Sequence, residues 1–216
     1  DDAYTQLIGS YISSDLLDGI EQTITPKDKV HVFAKPIPRY TYVIGVDPAG
    51  GGGGDYASVH VLNAKTLDVV ATYRSNTTPL ITLADIIAKL SIEYNNAYIN
   101  SESNNTCGGF LLATLMSLKV RIFKMKGIPW TTTSKTKVEL YEGLKKALSD
   151  KRIKHLDKYT YLDLRNVQSG RDGYPDKNSL SEGHFDGGDS LALAIYAAAK
   201  VPIDDLDPFT KFLLGE

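Results

Sequence analysis

The chain has 216 residues, 42% of them hydrophobic and 23% charged, and a formal net charge of −2. That length buries one good core, and the near-neutral balance argues against a general nucleic-acid coat while leaving room for a local basic face. A single cysteine, Cys107, excludes an internal disulfide framework and a cysteine-based zinc site and fits a reducing compartment, and no apolar run approaches the roughly 18 to 20 residues that span a bilayer. No signal-peptide pattern is read at its start, and a first residue of Asp rather than Met reads as a processed or excised piece of a longer chain.

Residues 1–40 read as a leading segment. A short helix is expected within 11–20, and Pro26, Pro36 and Pro38 predict an extended linker after it. The run Tyr42, Val43, Ile44, Val46 is β-branched and aromatic with almost no polar break, which predicts a buried strand over 41–47 ending on the carboxylate of Asp47. Pro48, Ala49 and the glycines 50–54 form a loop with nearly no side chains, where something large and anionic can approach the backbone. Strands over 56–63 and 68–74, joined by a turn at Asn63-Ala-Lys-Thr66, complete an antiparallel meander. Helical spacing follows over 82–94 through Leu83, Ile86, Ile87 and Leu90.

The next strand, 97–102, again ends on a carboxylate, Glu102. Thr106 is placed to cap a buried helix around 110–116, and 120–123 reads as another strand. Ser134 opens a long amphipathic helix through Val138, Leu140, Leu144 and Leu148. Residues 155–180 are polar and predict a hairpin or a mobile flap, with 159–177 gating a cleft. Gly183-His-Phe-Asp-Gly-Gly-Asp189 then leads into an Ala-rich helix over 190–200, and 201–216 reads as a linker or docking strap. Three antiparallel strands followed by parallel strands with crossover helices give an α/β fold: a mixed sheet flanked by helices on both faces.

Three acidic positions recur at similar places: Asp47, Glu102, and the pair Asp186 and Asp189. If the first strand lies beside the Glu102 strand, their ends converge, and the last helix brings its N-terminal acid to the same edge. Alone, each has a plainer role as turn cap, surface residue or helix N-cap. Together they repel unless cations neutralise them. All-oxygen ligation suits Mg²⁺ or Mn²⁺, and two such ions about 4 Å apart activate a water and stabilise the leaving oxygen of a phosphodiester. His184 is either an auxiliary to that chemistry or a plain loop histidine.

The strand ending Gly45-Val46-Asp47-Pro48 with its glycine turn, Tyr98-Ile-Asn-Ser-Glu102 followed by Asn104-Asn105, the segment Thr131-Thr-Thr-Ser-Lys135, and Asp186-Gly-Gly-Asp189-Ser-Leu-Ala-Leu-Ala together resemble the C-terminal nuclease domain of the large terminase subunit of tailed bacteriophages. The resemblance covers about 40–200. It implies a ribonuclease H-like fold and a metal-dependent endonuclease that cuts concatemeric viral double-stranded DNA at the start and end of packaging, using two Mg²⁺ or Mn²⁺ ions. Asp47 and Glu102 carry over as catalytic metal ligands. The third acid is Asp189, which abuts the helix, or Asp186. The long glycine run departs from the family pattern. No Gly-x-x-x-x-Gly-Lys-Ser/Thr loop is present, so residues 1–40 would be the connection to an ATPase domain outside this chain, with 41–200 as the nuclease domain and 201–216 as a tail. The implied partners are that ATPase domain, the portal protein and the small terminase subunit, and the implied place is the host cytoplasm, with no membrane and no role in the mature virion. Candidate DNA contacts, mainly to phosphates, are Lys124, Lys126, Lys135, Lys137, Arg152, Arg165 and Arg171, with Lys145, Lys146, Lys151 and Lys154 nearby in sequence. A solvated helix face is the plainer reading of that charge. The same acids also fit another nuclease of this fold, such as a Holliday-junction resolvase, and the strand-Asp-glycine opening also fits an actin-like or sugar-kinase-like ATP-binding domain. A catalytically dead DNA-docking module is a further alternative, which the retention of all three acids argues against.

Overall fold

The computed structural model describes residues 10–170, 175–176 and 185–203. In chain order the elements are α1 (Ser14–Leu17), β1 (Glu21–Thr23), β2 (His31–Val32), β3 (Tyr42–Asp47), β4 (Ala57–Asn63), β5 (Val69–Ser75), α2 (Leu80–Glu93), β6 (Tyr98–Ser101), α3 (Thr106–Ser117), β7 (Lys124–Met125), β8 (Ile128–Pro129), α4 (Ser134–Ser149), β9 (His155–Asp157), α5 (Lys158–Asn166), β10 (Gln168–Ser169), β11 (Pro175–Asp176) and α6 (Asp186–Ala198). Among the described residues no helix is long and apolar enough to cross a membrane.

The main sheet has five strands in the order β2-β5-β4-β3-β6. β3, β4 and β5 form the expected antiparallel meander, and β6 returns parallel to β3 after α2. The strand expected over 120–123 is reduced to one parallel bridge, Ile99 to Ile122, and the β7–β8 hairpin follows, turning at Lys126 and Gly127, both at positive φ.

β3 is apolar on both sides because both sides are covered. Tyr42, Ile44 and Val46 join a core with Leu83, Ile87, Leu111 and Leu115 from α2 and α3. Val43 joins a second core with α4, α5 and α6. Strand alternation puts Gly45 and Asp47 on the Val43 side, facing α6. Gly45 is what lets α6 come so near: a Cβ there would lie 2.0 Å from the Ser190 carbonyl oxygen and 2.5 Å from the Ala194 nitrogen. The small residues of α6 complete that close seat, and the helix is buried from Gly187 to Ala198.

Several expectations are corrected. The polar stretch from 155 is not a hairpin or flap throughout: β9 pairs in parallel with β1, and α5 follows, capped by Asp157, whose side chain accepts the Tyr159 and Thr160 N–H groups. The only hairpin there is β10–β11 among the described residues. The last helix starts at Asp186 rather than 190, so its first turn contains both acids. Asn105, not Thr106, caps α3, accepting the Gly108 N–H at 2.7 Å. The leading segment carries structure of its own: Tyr11, Ile12 and Leu17 are buried, and β2 forms the sheet edge against β5.

Candidate functional site

The register of the sheet fixes a row of side chains at one edge. Val46 pairs with Ser101, so Asp47 and Glu102 follow side by side, and the Glu102 N–H donates to the Val46 carbonyl at 3.3 Å. Asp47 pairs with Ser58, and Ser58 with Arg74. Alternation places this row on the α6 face. Two neighbours confirm the facing: Asn100 donates its Nδ2–H to the Leu193 carbonyl at 2.9 Å, and the Ser190 hydroxyl lies 3.0 Å from that of Ser58.

The first turn of α6 lies over this row. Asp186 Oδ2 accepts the Tyr56 N–H at the start of β4, at 3.0 Å. Asp189 is buried and accepts the Tyr141 hydroxyl at 2.6 Å. Burial pushes the Tyr141 hydroxyl well above its ordinary pKa, and the charges of Asp189, Asp47 and Asp163 add to the effect. One phenol from α4 thus senses acids from β3, α5 and α6.

Asp163 is the site acid that the sequence reading missed. Its Oδ2 accepts the Gly187 N–H at 2.9 Å, in the same turn that holds Asp186 and Asp189. Burial pushes its carboxyl up to about 8, with Asp186 adding to the rise against the Gly187 N–H and the charge of Arg74. Gly187 is required for this approach, since a Cβ there would meet Thr160 Oγ1 at 2.5 Å and Asp163 Oδ2 at 2.8 Å. The available signal was the placement of Asp163 between Thr160 and Leu164, which line the buried side of α5.

A buried polar chain beneath the acids locks α6 in place. His60 Nδ1 is 2.8 Å from Ser190 Oγ, and its Nε2 is 3.3 Å from Asp157 Oδ2 and 3.1 Å from Thr160 Oγ1. Burial would raise the Asp157 carboxyl, but the hydrogen bond and charge of His60, with the Thr160 bonds, hold it below the usual range. Ser, His and Asp in this order invite comparison with a hydrolase triad, yet Ser190 is wholly buried, so the chain joins elements rather than meeting a substrate.

The loop after Glu102 is stapled to the start of α4. Ser103 Oγ donates to the Trp130 carbonyl at 2.7 Å, and Asn104 exchanges hydrogen bonds with the backbone of Thr132. Thr133 and Thr136 then form a capping box. This brings Lys135 and Lys137, in the first turn of α4, toward the Glu102 side. Lys124 and Lys126 lie on the β7–β8 hairpin, and Arg165 ends α5. Arg152 is elsewhere: it bonds the Lys65 carbonyl and lines a cavity of about 530 Å³ at the far end of α6. Ala198 lies nine residue steps beyond Asp189, roughly 13 Å along the helix. His184 and Arg171 lie outside the described residues.

Among the described residues, no three His, Cys, Asp or Glu side chains converge into a ready metal cage. The donor set nonetheless fits a hard cation: it is all oxygen, and the charges of neighbouring acids add to the rise that burial gives both Asp163 and Tyr141.

The sequence profile of the Terminase RNaseH-like domain family matches residues 44–197. Among solved structures, the chain is similar to the large terminase nuclease from thermophilic phage G20c with bound magnesium, at 21% identity and a TM-score of 0.72 over 88% of this chain and 97% of that one. That nuclease has also been solved with cobalt and with zinc. The large terminase nuclease domain of Thermus phage P74-26 gives 23% identity and 0.69 over 86% and 93%. The large terminase of bacteriophage HK97 gives 11% and 0.60, with this chain spanning 44% of its length. The five-stranded mixed sheet with helices on both faces is the fold those structures share, and with the profile spanning β3 through α6 the chain belongs to the terminase RNase H-like domain family.

Proposed function

We propose that this domain is a divalent-metal-dependent endonuclease that cuts concatemeric phage double-stranded DNA during genome packaging. The family and the fold support a nuclease role in packaging. The observation that carries the finer reading is the row in which Asp47, at the end of β3, and Glu102, directly after β6, follow side by side on the face covered by the first turn of α6. Asp47, Glu102 and Asp189 would hold Mg²⁺ or Mn²⁺, with Asp186 beside them. Two such ions, when bound, supply an activated water and stabilise the leaving oxygen of the phosphodiester. The chain's own part is placement. β3 and β6 hold two carboxylates rigidly, the Tyr141 hydroxyl orients Asp189, and the Tyr56 N–H orients Asp186. The ATPase domain of the same subunit, the portal and the small subunit are the partners such a role requires.

Plasmid cleavage with Mn²⁺, Mg²⁺ or EDTA tests the reading, beside Asp47→Ala, Asp189→Asn and Asp186→Asn. Nicking and linearisation are expected with metal and lost in EDTA and in Asp47→Ala. Asp189→Asn is expected to lose more activity than Asp186→Asn, beyond the roughly 10- to 100-fold typical of losing a group behind the ligands. Metal-dependent cutting that survives Asp47→Ala would place the reaction elsewhere.

A further inference from the structure

We infer that Arg74, whose guanidinium lies over the rings of Tyr56 and Tyr159, is a ligand for a DNA backbone phosphate beside the acidic edge. This rests on the nuclease reading and assigns its substrate contact. Arg74 continues the row Glu102, Asp47, Ser58 across the sheet. Its guanidinium carbon lies 3.4 Å from the Tyr56 ring centroid and 4.5 Å from that of Tyr159. Two rings therefore fix the plane of the fork, which lowers the entropy lost when it takes up an anion.

Among the described residues the Arg74 side chain makes no hydrogen bond or ion pair, and its Nε is buried without a partner. Leaving a buried donor of a charged group unmade costs free energy, so an arginine held this way marks a place where an acceptor arrives. The platform is tied to the acids by its own backbone, since the Tyr56 N–H holds Asp186. Lys27, with its ammonium 5.5 Å from the Tyr56 ring centroid, adds a second positive charge. A planar fork beside metal-binding carboxylates matches the two free oxygens of a phosphodiester flanking the one being cut.

The test is binding of a fluorescent DNA duplex in EDTA over a range of salt, with cleavage in Mn²⁺ measured in parallel. Arg74→Gln is expected to weaken binding several-fold and to reduce the salt slope by about 1. Arg74→Lys keeps the slope but loses affinity, because the stacked fork is gone. Tyr159→Ala weakens binding without changing the slope. Unchanged affinity and slope in Arg74→Gln overturns the assignment, as does the lack of any duplex binding by the wild-type chain. If Arg74→Gln does not fold, unchanged binding in both Arg74→Lys and Tyr159→Ala overturns it instead. The two readings separate cleanly. A wild-type chain that binds but never cuts, with Arg74→Gln impaired in binding, sinks the nuclease and keeps the phosphate contact. A chain that cuts and binds equally well without Arg74 does the reverse.

Discussion

At Gly45 a single hydrogen atom decides where a helix sits. A methyl group there would lie 2.0 Å and 2.5 Å from backbone atoms of α6, and backbone cannot swing aside as a flexible side chain can. Gly45→Ala is expected to destabilise the fold by about 3 kcal/mol or more, at the upper end of overpacking costs, as read by urea denaturation. Because α6 carries Asp186 and Asp189, cleavage should fall as well, even at temperatures where the variant is folded. An alanine variant as stable as wild type would mean that α6 is not seated on β3 as described. Asp47, which ends β3, and Glu102, the first residue after β6, depend on the same exactness of backbone. Asp163 depends on Gly187 in the same way, as a second place where a missing side chain lets an acid approach.

The lock beneath the site acts between elements. His60 on β4 joins Ser190 on α6 to Asp157, which ends β9 and caps α5. Removing the ring takes the His60 partner from the buried Asp157 carboxylate and leaves it only the Tyr159 and Thr160 N–H groups, so His60→Ala is expected to cost about 3 kcal/mol, the lower end for breaking a buried pair. Ser190→Ala, which removes one neutral partner, is expected to cost nearer 1 kcal/mol. Equal effects in denaturation would show that the link to α6, rather than the charge on Asp157, carries the stability. The elements also show what a sequence discloses. β3 is legible because its β-branched and aromatic residues run almost unbroken, α2 and α4 because their apolar residues keep a helical period, and Asp47 and Glu102 stand out because each closes an apolar run. α5 is nine residues long and polar, so it reads as loop, and with it Asp163 is hidden. β1 and β2 have only three and two residues and exist through pairing with distant strands, which no local pattern announces. Arg74 reads as the end of a strand until the pairing of β4 with β5 and the arrival of α5 set two tyrosines around it.

Over the whole molecule the net charge is −2, yet the described acids are unevenly placed, with Asp47, Glu102, Asp163, Asp186 and Asp189 crowded around one sheet edge. Folding buries one of these carboxyls, Asp163, with the charge of Asp186 adding to the cost, and this gives stability a definite pH dependence. The Asp163 carboxyl moves from an ordinary value of 3.8 to about 8 in the folded state. Between those values the native protein holds a proton that the unfolded chain has released, so stability from this group is present below pH ~4 and is lost as pH rises toward 8. The melting temperature of the metal-free protein should fall over that window, and Asp163→Asn should flatten the fall, with the two profiles running parallel above pH 8. A divalent cation acts against the same repulsion. At pH 8, Mg²⁺ or Mn²⁺ at 100 times its dissociation constant should add about 2.7 kcal/mol of stability, since it binds only the folded edge. Asp47→Ala should lose most of that increment while keeping its metal-free melting temperature or raising it, because a repelling charge has gone. Parallel profiles for wild type and Asp163→Asn between pH 5 and 8 would show that Asp163 is ionised in the native protein. The crowding of charge would then be relieved by the protein itself, and the pull on a metal ion would have to come from Asp47, Glu102 and Asp189 alone.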